Sequence, residues 1–163
     1  VRGDVTFVKF FDYNCGYCKK VSETITKLAN EDKKIRIIYK ELPILSENSL
    51  HAAKVALAVN MANSNLYPSF HGKLMNHKAK INEETINEII QSLGLDIMNI
   101  KNLMESKEIE NEILNNKIIA QKLAIQGTPA FIIGENIIPG AISYEDIKKV
   151  IKEEREKNNK SAG

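Results

Sequence analysis

The tetrapeptide Cys15-Gly16-Tyr17-Cys18 holds both cysteines of the chain. It sits where one hydrophobic periodicity gives way to another, and that placement constrains the fold more than any other feature. Before it, Val5-Thr6-Phe7-Val8-Lys9-Phe10-Phe11 is a nearly continuous β-branched and aromatic run that reads as a buried strand. Asp12-Tyr13-Asn14 breaks the run. After it, Cys18, Val21, Ile25 and Leu28 form one apolar stripe at helical spacing, ended by Asn30-Glu31-Asp32. Ile35-Arg36-Ile37-Ile38-Tyr39 reads as a second strand, stopped by Pro43. Strand, helix and strand in so short a span make a βαβ unit, right-handed with parallel strands.

The middle of the chain reads as helices. Leu50, Ala53, Leu57 and Met61 mark one face, Tyr67, Phe70 and Leu74 a second helix, and Ile86, Ile89, Ile90 and Leu93 a third. Asn82 suits the N-cap of that third helix and Gly94 its end. Ile97, Ile100 and Leu103 suggest a fourth, and Ile109, Ile113, Ala120 and Leu123 a longer fifth. Sheet pattern returns at Ala130-Phe131-Ile132-Ile133, with Gly134-Glu135-Asn136 as turn and Ile137-Ile138 pairing back as a hairpin. Ser143-x-x-Asp146 opens a last helix with Ile147, Val150 and Ile151 inward. The expected class is α/β, a small sheet interrupted by a helical insertion after the first βαβ unit.

At 163 residues the chain is read as one catalytic domain. Its core would span residues 1–45 and 125–158, with the insertion at 46–124 and a disordered polar tail at 159–163. With 23 basic and 21 acidic residues the charge is too balanced to imply nucleic acid. No apolar run is long enough to span a bilayer. Because the chain opens at Val1 without a signal peptide, it is read as a processed or truncated product whose N-terminal part is missing.

Two cysteines at the start of a helix have specific chemistry. Cys15 falls at the N-cap or first turn, where free N–H groups and the helix dipole favour thiolate and lower the pKa. Cys18 continues the apolar stripe and should be more buried, with a higher pKa. An accessible acidic thiol beside a shielded one is a redox dithiol, with Cys15 as nucleophile and Cys18 as resolving thiol. Other readings compete. A structural zinc site lacks its other ligands, and haem attachment lacks a His after Cys18. A copper or shared intersubunit metal site, or two inert cysteines, stay open. The expectation is no metal and no cofactor beyond the Cys15–Cys18 disulfide itself.

The segment from Phe10 to Lys20 resembles the active-site region of the bacterial DsbA-like branch of thioredoxin-fold proteins. The resemblance continues in Lys40–Leu45, Tyr67–Met75, Gly127–Gly134 and Gly140-Ala141, and so covers nearly the whole chain. It implies a thioredoxin fold with a helical insertion. It also implies a cis Thr128–Pro129 bond beside the cysteines, Pro129 against the sulfurs, and a Thr128 backbone that pairs with an extended substrate. The strongly oxidising members carry Pro-His where this chain has Gly16-Tyr17. Gly16-Tyr17 with Thr128 is more similar to bacterial disulfide isomerases, including trimeric ones. Lys19 and Lys20 are expected to point to solvent.

One position departs from the family. Six residues before the first cysteine the family usually carries a buried acid; here it is Lys9. Glu41 could pair with Lys9 or replace the missing acid as a proton relay, or Lys9 could snorkel to solvent near a sheet edge. His51, His71 and His77 share no ligand spacing and read as surface or satisfied core residues.

The function expected from the resemblance is a periplasmic thiol–disulfide oxidoreductase, foremost a disulfide isomerase for secreted proteins. The alternative is a DsbA-like net oxidase. The partners implied are secreted or periplasmic protein substrates and a membrane redox protein. That protein would be a reductase for an isomerase and a quinone-linked oxidase for an oxidant. Homo-oligomerisation would run through an N-terminal region absent here, so the fragment alone could be monomeric.

Overall fold

Seven consecutive residues, Val5–Phe11, form strand β1, and its neighbours pair so that it lies inside the sheet rather than at an edge. β2 (Ile35–Glu41) runs parallel to it on one side. β3 (Ala130–Ile133) runs antiparallel on the other, and β4 (Asn136–Pro139) closes the sheet, in the order β2-β1-β3-β4. The computed structural model describes residues 3–162. The first strands, the long crossover and the returning hairpin give the small sheet with a helical insertion that the residue pattern implied, in the thioredoxin-like arrangement that the resemblance implied.

Side chains alternate along a strand, so parity sorts the residues by face. Val5, Phe7, Lys9 and Phe11 share one face of β1. The register puts Lys9 beside Tyr39 and Phe11 beside Glu41, which extends that face across β2. Helices α1 (Gly16–Glu31) and α7 (Tyr144–Ala162) cover its lower part, where Val5, Phe7, Val21, Ile25, Phe131 and Ile147 are buried together. Each such side chain contributes about 1.5–3 kcal/mol by leaving water. Phe10 and Ala130 point the other way, to Leu42 and Ala120.

The insertion contains α2 (Glu47–Ala62), a 3-10 turn at Ser64–Leu66, α3 (Tyr67–Met75), α4 (Glu83–Ser92), α5 (Ile97–Met104) and α6 (Lys107–Lys122). Asn82 caps α4 by accepting from Thr85 N–H, and Gly94 follows it with φ +74°. α6 lies inside the expected insertion, yet Ala120 packs onto the sheet, so the two parts of the chain share this helix.

Two local expectations change. Leu50, Leu57 and Met61 are not the buried face of α2; its buried residues are Ser49, Ala52, Ala53, Val55, Ala56, Ala58 and Val59. Other insertion helices surround α2, and small side chains let them approach on more than one side. The tail also differs, because α7 continues to Ala162 across most of residues 159–163, the stretch expected to be disordered. The strong helix formers of residues 152–157 lead into it, and Asn158 Nδ2 ties the helix to the Asp4 carbonyl at 3.2 Å. Gly163 lies outside the described residues.

The β3–β4 turn requires glycine at Gly134. Its φ is +60°, and a Cβ there would run into the Glu154 side chain. No helix among the described residues is long and apolar enough to cross a membrane.

Candidate active site: a dithiol above a buried polar cluster

The chain leaves β1 at Asp12, and this residue builds the platform for the cysteines. Its Oδ1 accepts from Asn14 N–H at 2.8 Å and from the Ser49 hydroxyl at 2.7 Å. Its Oδ2 accepts from the N–H groups of Ile44 and Leu45, each at 3.0 Å. Its carbonyl accepts from Cys15 N–H at 3.1 Å. One carboxylate, 1% exposed, thus joins the turn before Cys15, the loop after β2 and the start of α2. Sequence reasoning took Asp12 only as a strand breaker. Its place immediately after a strand, two residues before a turn N–H, was the available signal.

Cys15 is the N-cap of α1, with extended backbone at φ −80° and ψ 115°. Its Sγ takes the place of the usual capping oxygen and accepts from Cys18 N–H at 3.2 Å. The Thr128–Pro129 bond is cis, and the Thr128 carbonyl lies 3.5 Å from Cys15 Sγ, within reach of its thiol proton. These contacts set the acidity. Cys15 is brought down to about 6, first by a hydrogen bond from the Cys18 thiol and then by the Thr128 side chain and the Cys18 N–H, against an opposing effect of burial. Cys18 is pushed up because it donates to Cys15 and because it is buried. At neutral pH the dithiol is a Cys15 thiolate beside a Cys18 thiol, and both thiols are free in this structure.

The expected contrast in accessibility is smaller than anticipated: Cys15 is 6% exposed and Cys18 3%. The Thr128 carbonyl stands beside the outer sulfur. Gly16 and Tyr17, which follow Cys15 in the chain, are exposed, Tyr17 at 66%. Lys19 does not point freely to solvent; its Nζ donates to the His77 carbonyl. Among the described residues, no group of three or more His, Cys, Asp or Glu side chains is arranged to hold a metal ion.

Beneath the dithiol the face shared by β1 and β2 carries charge. Lys9 is 4% exposed and Glu41 1%. Snorkelling at a sheet edge is thereby excluded, because β1 is an inner strand. The Lys9 amino group lies 4.9 Å from the Tyr39 ring centre and 5.4 Å from that of Phe11. Glu41 Oε1 accepts from the Tyr13 and Tyr67 hydroxyls at 2.7 and 2.8 Å. The Tyr13 oxygen is 2.9 Å from His71 Nδ1, and Asn116 Nδ2 donates to the Glu41 carbonyl at 2.9 Å. Among the described residues His71 Nε2 has no hydrogen-bond partner. Tyr67 and His71 come from α3, where sequence reasoning saw only insertion core and an ordinary histidine.

Burial dominates the electrostatics of this cluster. It brings Lys9 down to about 8, against the opposing charges of Glu41 and a Cys18 thiolate. It lifts Glu41 to about 8, against the two tyrosine hydrogen bonds and Lys9. Tyr13 and Tyr67 are raised, and His71 is held well below its ordinary range, again by burial. The tyrosines and His71 therefore stay neutral near pH 7, and Lys9 and Glu41 are the members poised to change charge.

Residues 6–152 match the family described as the DSBA-like thioredoxin domain. Among solved structures, a thioredoxin-like oxidoreductase from Silicibacter pomeroyi superposes with a TM-score of 0.90 at 35% identity, covering 95% of this chain and 88% of that one. The thiol-disulfide exchange protein alpha-DsbA2 from Wolbachia pipientis gives 0.88 at 34% identity, with 93% and 82% covered. A curated relative, the probable disulfide bond formation protein D of Bacillus anthracis, is 25% identical over 94% of this chain and 75% of its own length.

Proposed function

Because the chain belongs to the DSBA-like thioredoxin domain family and is a thiol–disulfide oxidoreductase by that membership, we propose that it acts as a disulfide isomerase, reshuffling disulfides of secreted proteins in the bacterial periplasm. The observation that carries the reading is the Cys15 sulfur used as the cap of α1, with its pKa near 6. A nucleophile whose pKa lies close to ambient pH combines a high thiolate fraction with high intrinsic reactivity. Among the described residues no histidine or lysine is hydrogen-bonded to the Cys15 sulfur, where the harshest oxidants use a histidine to hold the reduced form. Gly16-Tyr17 supports the same reading, since Tyr17 is exposed and uncharged.

In the first step the Cys15 thiolate attacks one sulfur of a client disulfide. The Cys15–client bond forms, the client S–S bond breaks, and the other client sulfur leaves as thiolate. In isomerisation a different client thiolate attacks the mixed disulfide and releases Cys15 as thiolate, with no net redox change. If the client lingers, Cys18 gives up its proton, which ends on the departing client sulfur, and its thiolate attacks Cys15 Sγ. The client then leaves as a dithiol and the protein holds a Cys15–Cys18 disulfide. Lys9 and Glu41 serve this second step. A charged Lys9 stabilises the Cys18 thiolate as it forms, and Glu41, linked to Tyr13 and Tyr67, balances the charge that moves.

An isomerase requires its dithiol kept reduced, so the proposed membrane partner is a reductase, and oligomerisation would give it a shared client cavity. Disulfide chemistry on secreted clients places it in an oxidising compartment. A second reading, net oxidase with an oxidising membrane partner, is favoured by the relative described as a disulfide bond formation protein. Rescue of a scrambled-disulfide client by the reduced protein, measured against oxidation of a reduced client by the disulfide form, separates them. We expect rescue to be the faster activity. Fast oxidation without rescue overturns the isomerase. In stopped-flow resolution of a Cys15 mixed disulfide, Glu41→Gln should slow Cys18 attack and shift its pH profile; an unchanged rate and profile removes Glu41 from the relay.

A further inference from the structure

We propose that the groove on the insertion side of Cys15 docks an acidic, partly apolar segment of the client, so that disulfides flanked by carboxylates are attacked in preference. The proposal rests on the exchange chemistry above and adds the class of client. The groove, about 400 Å³, begins at Asn14 and Gly16, the residues on either side of Cys15. Lys19, Lys78 and Lys80 line it, and among the described residues no carboxylate does. Leu45 completes one wall and is 55% exposed, with Ile44 at 44% beside it in the chain and Tyr17 at 66% on the other side of Gly16. A client chain crossing Cys15 therefore meets three ammonium groups and an apolar wall within a few residues of its own cysteine.

Three further features fit this use. A Cβ at Gly16 would meet nothing within 4 Å, so the entrance over the start of α1 is open. Lys19 holds the His77 carbonyl, which fixes the loop that carries Lys78 and Lys80 against α1. Asp12, the carboxylate behind the groove, is buried and engaged by Asn14, Ile44, Leu45 and Ser49, so it does not face an entering anion. Glu47 lines a separate cavity with His51. Charge complementarity of this kind acts mostly on the rate of productive encounter and weakens with salt over a Debye length of about 10 Å at 0.1 M.

The test uses the reduced protein and three probes: the neutral hydroxyethyl disulfide, and two peptides with the same disulfide flanked by Asp-Leu or by Lys-Leu. We expect the acidic peptide to react about tenfold faster than the basic one at low salt, with the ratio shrinking as salt rises. With each peptide's rate taken relative to the neutral probe, Lys78→Glu with Lys80→Glu should invert the preference and Lys78→Gln with Lys80→Gln should abolish it. Equal rates for the two peptides with normal turnover of the neutral probe would overturn the docking proposal alone, as would a preference that survives charge reversal. Failure of the neutral probe to react at all would instead overturn the exchange chemistry.

Discussion

Two charged clusters sit at opposite ends of the same central strands, and they obey different physics. At one end Lys9 and Glu41 are 4% and 1% exposed, held among Tyr13, Tyr39, Tyr67 and His71 beneath the dithiol. At the other, Arg155 forks onto Asp4 at 2.9 Å and Asp32 at 2.6 Å, with side chains 28%, 46% and 26% exposed. The distal cluster has shorter ion pairs and better geometry. The buried one has no direct ion pair between its two charges, yet its protonation states are displaced from the ordinary range in both directions. Water is the difference. Removed from solvent, a charge depends on whatever dipoles the fold supplies, and its proton becomes negotiable.

The largest test of this contrast is Glu41→Leu. It leaves two buried tyrosine hydroxyls without their acceptor and removes the carboxyl nearest Lys9 in the cluster, and it should destabilise the protein by about 2–4 kcal/mol in urea unfolding. The double substitution Lys9→Met with Glu41→Leu also removes the buried ammonium and should recover part of that loss, the two tyrosine hydroxyls still lacking their acceptor. It should still slow resolution by Cys18 at least about tenfold, because no charged group remains under the thiolate. If the double variant resolves mixed disulfides at the normal rate, the buried pair is structural only.

A smaller effect, read as a pattern rather than a size, comes from pH. Glu41 is raised from 4.5 to about 8, so its contribution to stability is complete below pH 4.5 and is lost as pH rises through about 8. Lys9 is lowered from 10.5 to about 8, so its cost is fully present below pH 8 and disappears as pH rises toward 10.5. The two windows meet, and stability should pass through a minimum near pH 8. Thermal unfolding of the disulfide form, in which neither cysteine titrates, isolates the effect. The dip should vanish in Lys9→Met with Glu41→Leu.

Half of this contrast was legible in the sequence. The strand Val5–Phe11, the cap of α1 and the cysteine pair are local features, each encoded within a few residues, and Lys9 stood out because a charge interrupted an apolar run. Glu41 could be suspected from its place at the end of β2. Its hydroxyl partners could not, since Tyr13 and Tyr67 lie 28 and 26 residues away in sequence and meet only when α3 packs on the sheet. His71 reaches Tyr13 across 58 residues. The small-residue burial of α2 was hidden for a related reason: a helix enclosed on several sides has no single stripe. The distal triad was invisible as well, because Arg155 meets Asp4 across 151 residues, inside an ordinary run of charges.

That triad supplies the smallest effect. Arg155 donates to both carboxylates in bidentate fashion, through Nε and Nη2 to Asp4 and through Nη1 and Nη2 to Asp32. Its guanidinium lowers both aspartates below their usual range. Because water reaches all three side chains, that interaction is screened, and Arg155→Ala should cost only about 0.2–1 kcal/mol. Depressed carboxylates stabilise the fold above their unfolded pKa and lose that contribution as pH falls through the folded value, so the difference from the parent should narrow below about pH 4. It should also narrow in 1 M salt, where the Debye length is about 3 Å. Neither change should touch the rate of Cys18 attack. A loss as large as that of Glu41→Leu would mean that geometry outweighs burial in setting the worth of charge in this fold.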